Sequence, residues 1–194
     1  MKTYFEFKGT IGIRAILMFF LIMPGLLLAQ ENRGESKATK KEREKTEQAQ
    51  RFRQARQMIL DTAFVVPAET VQFSNGGMMT PVQSTINFLK MDGDEAVIQI
   101  GSDFVRSAGL NSLGGITLKG KIQNLKIKEK ENKNRLYLRF TLSGLIGTAQ
   151  ISVTLTGSEK AMIDVDGMFS GRAFSMRGPV QAIDETNIFE GTEF

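Results

Sequence analysis

The chain has 194 residues, with 25 lysines and arginines against 21 aspartates and glutamates, and it contains no histidine, cysteine or tryptophan. Without His or Cys, the Ser-His-Asp and Cys-His nucleophile systems are excluded, as are the ordinary zinc, copper and haem ligand sets and any disulfide. Carboxylate, lysine, tyrosine and serine chemistry survives, and a hydrolase working through paired Asp or Glu is the enzymatic type that remains.

Residues 1–14 carry Lys2, Lys8 and Arg14 and lead into an uncharged apolar stretch over 15–28, which is interrupted by Pro24-Gly25 and followed by the small residue Ala29. That layout predicts a secretory signal peptide over residues 1–29, with cleavage between Ala29 and Gln30. A membrane-spanning helix needs about 20 apolar residues, which this interrupted stretch does not supply. The cysteine that bacterial lipoproteins acylate is missing, so the expected chain is periplasmic or secreted, not lipid-anchored, and touches a membrane only through the signal peptide before cleavage. Removing residues 1–29 takes away three basic and one acidic residue and leaves 22 − 20 = +2. A balance this near neutrality does not mark a nucleic-acid binder.

Residues 30–50 are rich in mixed charge and almost free of large apolar side chains, which predicts a flexible leader. Over 51–61, Phe52, Ala55, Met58 and Ile59 recur at three- and four-residue steps, the spacing of an amphipathic helix. From Thr62 the apolar period changes to two. Short runs at 70–74, 81–90, 96–100, 116–130, 135–143, 149–156, 161–166 and 173–182 read as strands. Asp92-Gly93, residues 131–134, Gly147, Gly157 and Gly171 supply the turns between them. Links this short make consecutive strands antiparallel neighbours. The expected fold over 62–184 is therefore an all-β, up-and-down antiparallel barrel of about eight strands behind an N-terminal helix, with 185–194 as a tail.

Within the long strand, Ile116, Leu118 and Ile122 share one face, whereas Leu125 and Ile127 have changed parity. A bulge near Gln123-Asn124 would return both sets to the core. In the neighbouring strands, Leu136, Leu138, Phe140 and Leu142 hold one face throughout, as do Ile151, Val153 and Leu155.

The run from Gly109 to Gly120 spaces its glycines somewhat like a phosphate-binding loop. Such a loop needs lysine and then Ser or Thr after its second glycine, where this chain has Gly115 and Ile116 leading into a strand. The structural reading of Gly114 and Gly115 is a tight turn feeding the sheet. The carboxylates Asp92, Asp94 and Glu95, and separately Asp164 and Asp166, lack the regular ligand spacing of a calcium loop and read as solvated turn and strand residues. No cofactor or metal is expected.

Between positions 119 and 139 lie eight basic residues, Lys119, Lys121, Lys126, Lys128, Lys130, Lys133, Arg135 and Arg139, against Glu129 and Glu131, a local balance of 8 − 2 = +6. These alternate with apolar residues as the wet face of any strand does. The competing reading is a patch for an anionic ligand on Lys119, Lys121, Lys126 and Lys128. No aromatic platform accompanies it for stacking bases or sugars.

Three segments carry a resemblance to a known family: residues 62–68, Thr-Ala-Phe-Val-Val-Pro-Ala; residues 114–120, Gly-Gly-Ile-Thr-Leu-Lys-Gly; and residues 174–180, Phe-Ser-Met-Arg-Gly-Pro-Val. Together with the signal peptide and charged leader, they resemble the exported Bacteroidetes domain-of-unknown-function family 4251 over residues 58–182. Where that family usually shows leucine-proline-tyrosine-x-glycine, this chain has Val97-Ile98-Gln99-Ile100-Gly101 and keeps only the glycine. The resemblance implies a lipocalin-like antiparallel barrel and no known reaction, with Gly101, Gly114, Gly115, Gly120 and Gly178 as structural glycines. The functional expectation is an exported, non-enzymatic protein that binds a small apolar ligand or lipid. The alternative is a protein-interaction module that docks the N-terminal helix on an envelope partner, and a carboxylate-dependent hydrolase ranks third.

Overall fold

In the computed structural model the described residues are 37–73, 77–101, 115–167 and 173–191. The expected signal peptide and its cleavage point at Ala29 and Gln30, together with Gly114 and Gly171, lie outside them.

Helix α1 (Lys37–Leu60) carries the predicted stripe on its C-terminal half. Ala55 and Ile59 are fully buried, and Phe52, Met58 and Leu60 pack against the same core. The helix begins well before residue 51, in the stretch where a flexible leader was expected, and residues 37–50 are exposed throughout. Low hydrophobicity there denies a core contact but not a helix, because Lys, Glu, Gln, Ala and Arg are all strong helix formers. Side-chain contacts of this part include Glu47 pairing with Arg51 one turn on at 3.8 Å and Gln48 Nε2 donating to the Gly157 carbonyl at 3.1 Å. After Leu60 the chain turns at Thr62, whose φ of 54° is left-handed, and the Thr62 carbonyl accepts from Gly93 N–H at 2.9 Å.

Among the described residues ten strands follow in one antiparallel sheet: β1 (Ala63–Pro67), β2 (Thr70–Phe73), β3 (Thr80–Pro81), β4 (Phe88–Asp92), β5 (Glu95–Ile100), β6 (Ile116–Lys130), β7 (Arg135–Gly144), β8 (Gly147–Thr156), β9 (Lys160–Asp166) and β10 (Phe174–Pro179). Their order is β1-β4-β5-β6-β7-β8-β9-β10-β2-β3, an up-and-down meander from β4 to β10 curled into a half-barrel. The all-β, antiparallel reading holds, with ten strands in place of about eight. One extra strand is β1, in a stretch between the expected helix and the first expected strand. Another arises because the expected strand 81–90 is broken: residues 84–86 turn, and buried Asn87 donates from Nδ2 to the Gln83 carbonyl at 2.8 Å.

The curl is fastened by β1 and β2, which run almost without interruption but change partner midway. β1 pairs with β4 and β2 pairs with β10. Between them, Ala68 N–H donates to the Asn87 carbonyl and Glu69 N–H to the Arg177 carbonyl, each at 2.8 Å. Beyond β10, Val65 and Gln181 exchange both backbone bonds at 2.9 Å, so opposite ends of the sheet touch. Gly178 permits this approach, because a methyl group there would sit 1.9 Å from the Pro67 carbonyl oxygen.

The inner face of the curl is one apolar cluster. Leu136, Leu138, Phe140 and Leu142 of β7 and Ile151, Val153 and Leu155 of β8 alternate into it as expected, and α1 adds Ala55 and Ile59. The outer face of β1, β4 and β5 is covered too: Val65, Phe88 and Val97 lie under Ile183 and Ile188 of the C-terminal segment. Burial on both faces explains the unbroken apolar runs Phe64-Val65-Val66 in β1 and Ala96-Val97-Ile98 in β5, where alternation is lost. Gln99 lies fully buried on this side with every hydrogen-bonding position used. Its amide donates to the carbonyls of Ile86 at 3.0 Å and Phe189 at 2.8 Å, and its oxygen accepts from Thr117 Oγ1 at 2.9 Å and Gly191 N–H at 2.7 Å.

Ile59→Ala empties a fully buried site at the junction of helix and sheet and lowers unfolding free energy by roughly 2–4 kcal/mol. Urea titration followed by circular dichroism checks this, and a loss below 1 kcal/mol would show that α1 packs outside the core.

Candidate functional site

The long strand β6 outruns its neighbours. β5 pairs with residues 116–121 and β7 with residues 120–130. The first half is covered, with Thr117 and Leu118 buried. The β5 side ends with Ile122 N–H donating to the Asp94 carbonyl at 2.8 Å. Beyond that bond, no strand among the described residues lies against residues 123–130 on the side away from β7.

The expected bulge is present. Gln123 faces Thr141 and Lys126 faces Arg139, so Asn124 and Leu125 share the place opposite Phe140. Asn124 takes a left-handed φ of 54°, which its short polar side chain tolerates. The extra residue restores parity. Ile127 lies opposite buried Leu138 and Glu129 opposite buried Leu136, so these point inward. The expectation that Leu125 and Ile127 would be buried fails, because they are 40% and 39% exposed. They face inward at a free rim where α1 presents Arg56 to Glu129 instead of an apolar side chain.

Opposite consequences follow for the lysines. Lys126, Lys128 and Lys130 point outward, onto the face that Lys119 and Lys121 occupy before the bulge. Across the β6–β7 pair, Lys126 faces Arg139, Lys128 faces Tyr137 and Lys130 faces Arg135. Two of these three are like-charge pairs, an arrangement that costs stability. Arg139 Nε donates to Ser152 Oγ at 3.2 Å, and Lys130 Nζ sits 5.9 Å from the Tyr137 ring centre. Among the described residues no carboxylate pairs with Lys126, Lys128, Lys130, Arg135 or Arg139. Lys121 differs: Asp94 and Glu95 hold it at 3.0 Å each. Its hydrogen bonds to them raise the Lys121 pKa, and the bond from Lys121 lowers that of Asp94. Of the four lysines expected in a patch, Lys126 and Lys128 stand open at its centre, Lys119 lies exposed before the bulge, and Lys121 is neutralised.

On the inner side, a groove of about 490 Å³ runs between α1 and the β6–β7 turn, lined by Gln48, Phe52, Arg56, Glu129, Glu131 and Asn134 among others. Arg56 and Glu129 close its floor with a two-pronged ion pair, Nε to Oε1 and Nη2 to Oε2, the second at 2.7 Å. The Arg56 hydrogen bond holds the Glu129 carboxyl below its ordinary 4.5, and the same bond raises Arg56.

The remaining described candidates lie at close strand contacts or on strand faces. A methyl group on Gly115 would come 1.8 Å from the Ile100 carbonyl oxygen and one on Gly120 1.9 Å from that of Ser143, so close strand approach accounts for both. Gly101 packs under Ile86, and its N–H donates to Asn87 Oδ1 at 2.8 Å. Asp164 accepts from Ser175 Oγ at 2.6 Å, and no group of three metal-capable side chains occurs among the described residues. The core beneath the site is filled by Phe64, Leu118, Leu136 and Phe140, all at most 1% exposed.

A strongly curled, up-and-down antiparallel sheet with one helix against its inner face is the architectural class. Within it, the model of the domain of unknown function DUF4251 matches residues 46–180, and the chain belongs to that family. Among solved structures it is similar to the crystal structure of a DUF4251 family protein from Bacteroides eggerthii DSM 20697, at 25% identity and a TM-score of 0.63, covering 75% of this chain and 96% of that one. No curated protein matches.

Because the Glu129 pKa is depressed in the folded state, the stability it contributes is present above the ordinary 4.5 and lost as pH falls through the depressed value. Glu129→Gln lowers stability by about 0.5–1 kcal/mol at pH 7, a figure reduced for the partial exposure of the pair. The two proteins converge in denaturant titrations as pH falls below that depressed value. A pH-independent difference would contradict the assignment.

Proposed function

We propose that this chain is an exported, non-catalytic binding module that takes an anionic protein partner on the outer face of the β6–β7 hairpin. The observation that carries the reading is the opposition of Lys126 to Arg139 and of Lys130 to Arg135, with no carboxylate paired to any of them among the described residues. Such pairs disfavour the isolated hairpin, and an acidic partner turns that repulsion into attraction.

Two other readings draw less from the geometry. An apolar ligand inside the sheet finds no support in a core this full. Docking through the helix stripe would need Ala55 and Ile59, which the protein's own core has taken. Export rests on the charged and apolar layout of residues 1–29, and no helix among the described residues is long and apolar enough to cross a membrane. If export is correct, intact mass of the protein from the envelope fraction begins at Gln30.

Immobilised polyglutamate tests the binding reading. The chain is retained at low salt and released by added salt, since a solvent-exposed charge interaction is screened over about 10 Å at 0.1 M. The double variant Lys126→Glu/Arg139→Glu passes straight through with its fold intact by circular dichroism. Equal retention of variant and wild type, or no retention of either, would overturn the proposal.

A further inference from the structure

Resting on that reading, we infer that residues 123–130 of β6 form a docking edge, to which an extended acidic segment of the partner adds as an eleventh strand of the sheet.

The backbone supplies the first argument. A strand paired on one side only presents a row of unused N–H and C=O groups, which is the template for strand addition. Here that row continues an existing ten-stranded sheet, beginning where Ile122 makes the last bond to the β5 hairpin.

Side chains set what can pair. On the inner side of the edge, Leu125 and Ile127 stand 40% and 39% exposed beside the groove that α1 forms with Glu129 and Glu131. Positions of an incoming strand opposite them favour apolar residues. On the outer side, Lys126, Lys128 and Lys130 call for Asp or Glu at the intervening positions, backed by Arg139 and Arg135 one strand further in. The occupant is therefore an alternating acidic and apolar segment of six to eight residues. A second copy of this chain is the wrong occupant: antiparallel pairing of two such edges sets lysine against lysine, which blocks self-association. A rigid polyanion would use the outer face alone and leave Leu125, Ile127 and the backbone row uncovered.

The test titrates the chain, purified after export, with a fluorescent eight-residue peptide of alternating glutamate and valine. Two control peptides carry the same composition arranged in blocks and the alternating order with alternate backbone nitrogens methylated, and polyglutamate is the fourth probe. Strand addition predicts that the alternating peptide binds at least tenfold tighter than either control peptide, that Ile127→Asp weakens it severalfold, and that Lys126→Glu/Lys128→Glu abolishes binding. Equal binding of all four probes overturns strand addition while leaving the charge reading intact. Absence of binding by every probe at low salt sinks both.

Discussion

β6 is fifteen residues long, but its neighbours in the sheet, β5 and β7, are six and ten, so the three cannot be paired along their whole lengths. A curled sheet needs its strands staggered, and here the stagger is large: β5 takes the first part of β6 and β7 the second. At the handover the bulge at Gln123–Lys126 bends the strand and resets its parity. If the same residues were paired regularly, without the bulge, Lys126 would fall opposite buried Leu138, turning the following lysines inward and Leu125 and Ile127 outward. The basic outer face, the free edge and the Arg56–Glu129 pair all follow from this one offset.

The rest of the molecule keeps the curl in place. One bent stretch, β1 with β2, joins both ends of the sheet, and the bare backbone of Gly178 lets the Pro67 carbonyl come close enough for Val65 and Gln181 to bond. α1 fills the inner face with Ala55 and Ile59, then runs out over polar residues, where Arg56 fastens to Glu129 and Gln48 to the β8–β9 turn. The C-terminal segment covers the opposite side through Ile183 and Ile188 and is pinned by Gln99. A scaffold held at so many points leaves the β6–β7 hairpin as the place where exposed apolar, unpaired basic and unpaired backbone groups coincide.

How much of this could be read in the sequence varied with the kind of contact involved. Alternation in β7 and β8 was plain because one face is dry and the other wet. The bulge was legible from the parity break between Ile122 and Leu125, but burial of Leu125 and Ile127 was not, since parity fixes a side of the sheet and not what covers it. β1 escaped because a strand buried on both faces has no period of two, and Phe64-Val65-Val66 is too short an apolar run to show its type by periodicity. Residues 37–50 were misjudged because composition predicts whether a segment can reach a core, while helix propensity acts without one. Gly115 was expected to form a tight turn with Gly114, which lies outside the described residues, whereas its position, like that of Gly120, is one of close strand approach. Gln99 gave a signal that went unused: a lone amide inside the apolar run 96–100 has to find four partners or stay out of the core.

Amide hydrogen exchange resolved by residue tests the free edge directly. Amides of residues 120–122, between two strands, are protected, whereas every second amide along 123–130 exchanges at the rate of an unpaired edge while those bonded to β7 stay slow. Uniform protection through Lys130 would mean that another part of the chain already occupies the place assigned to a partner.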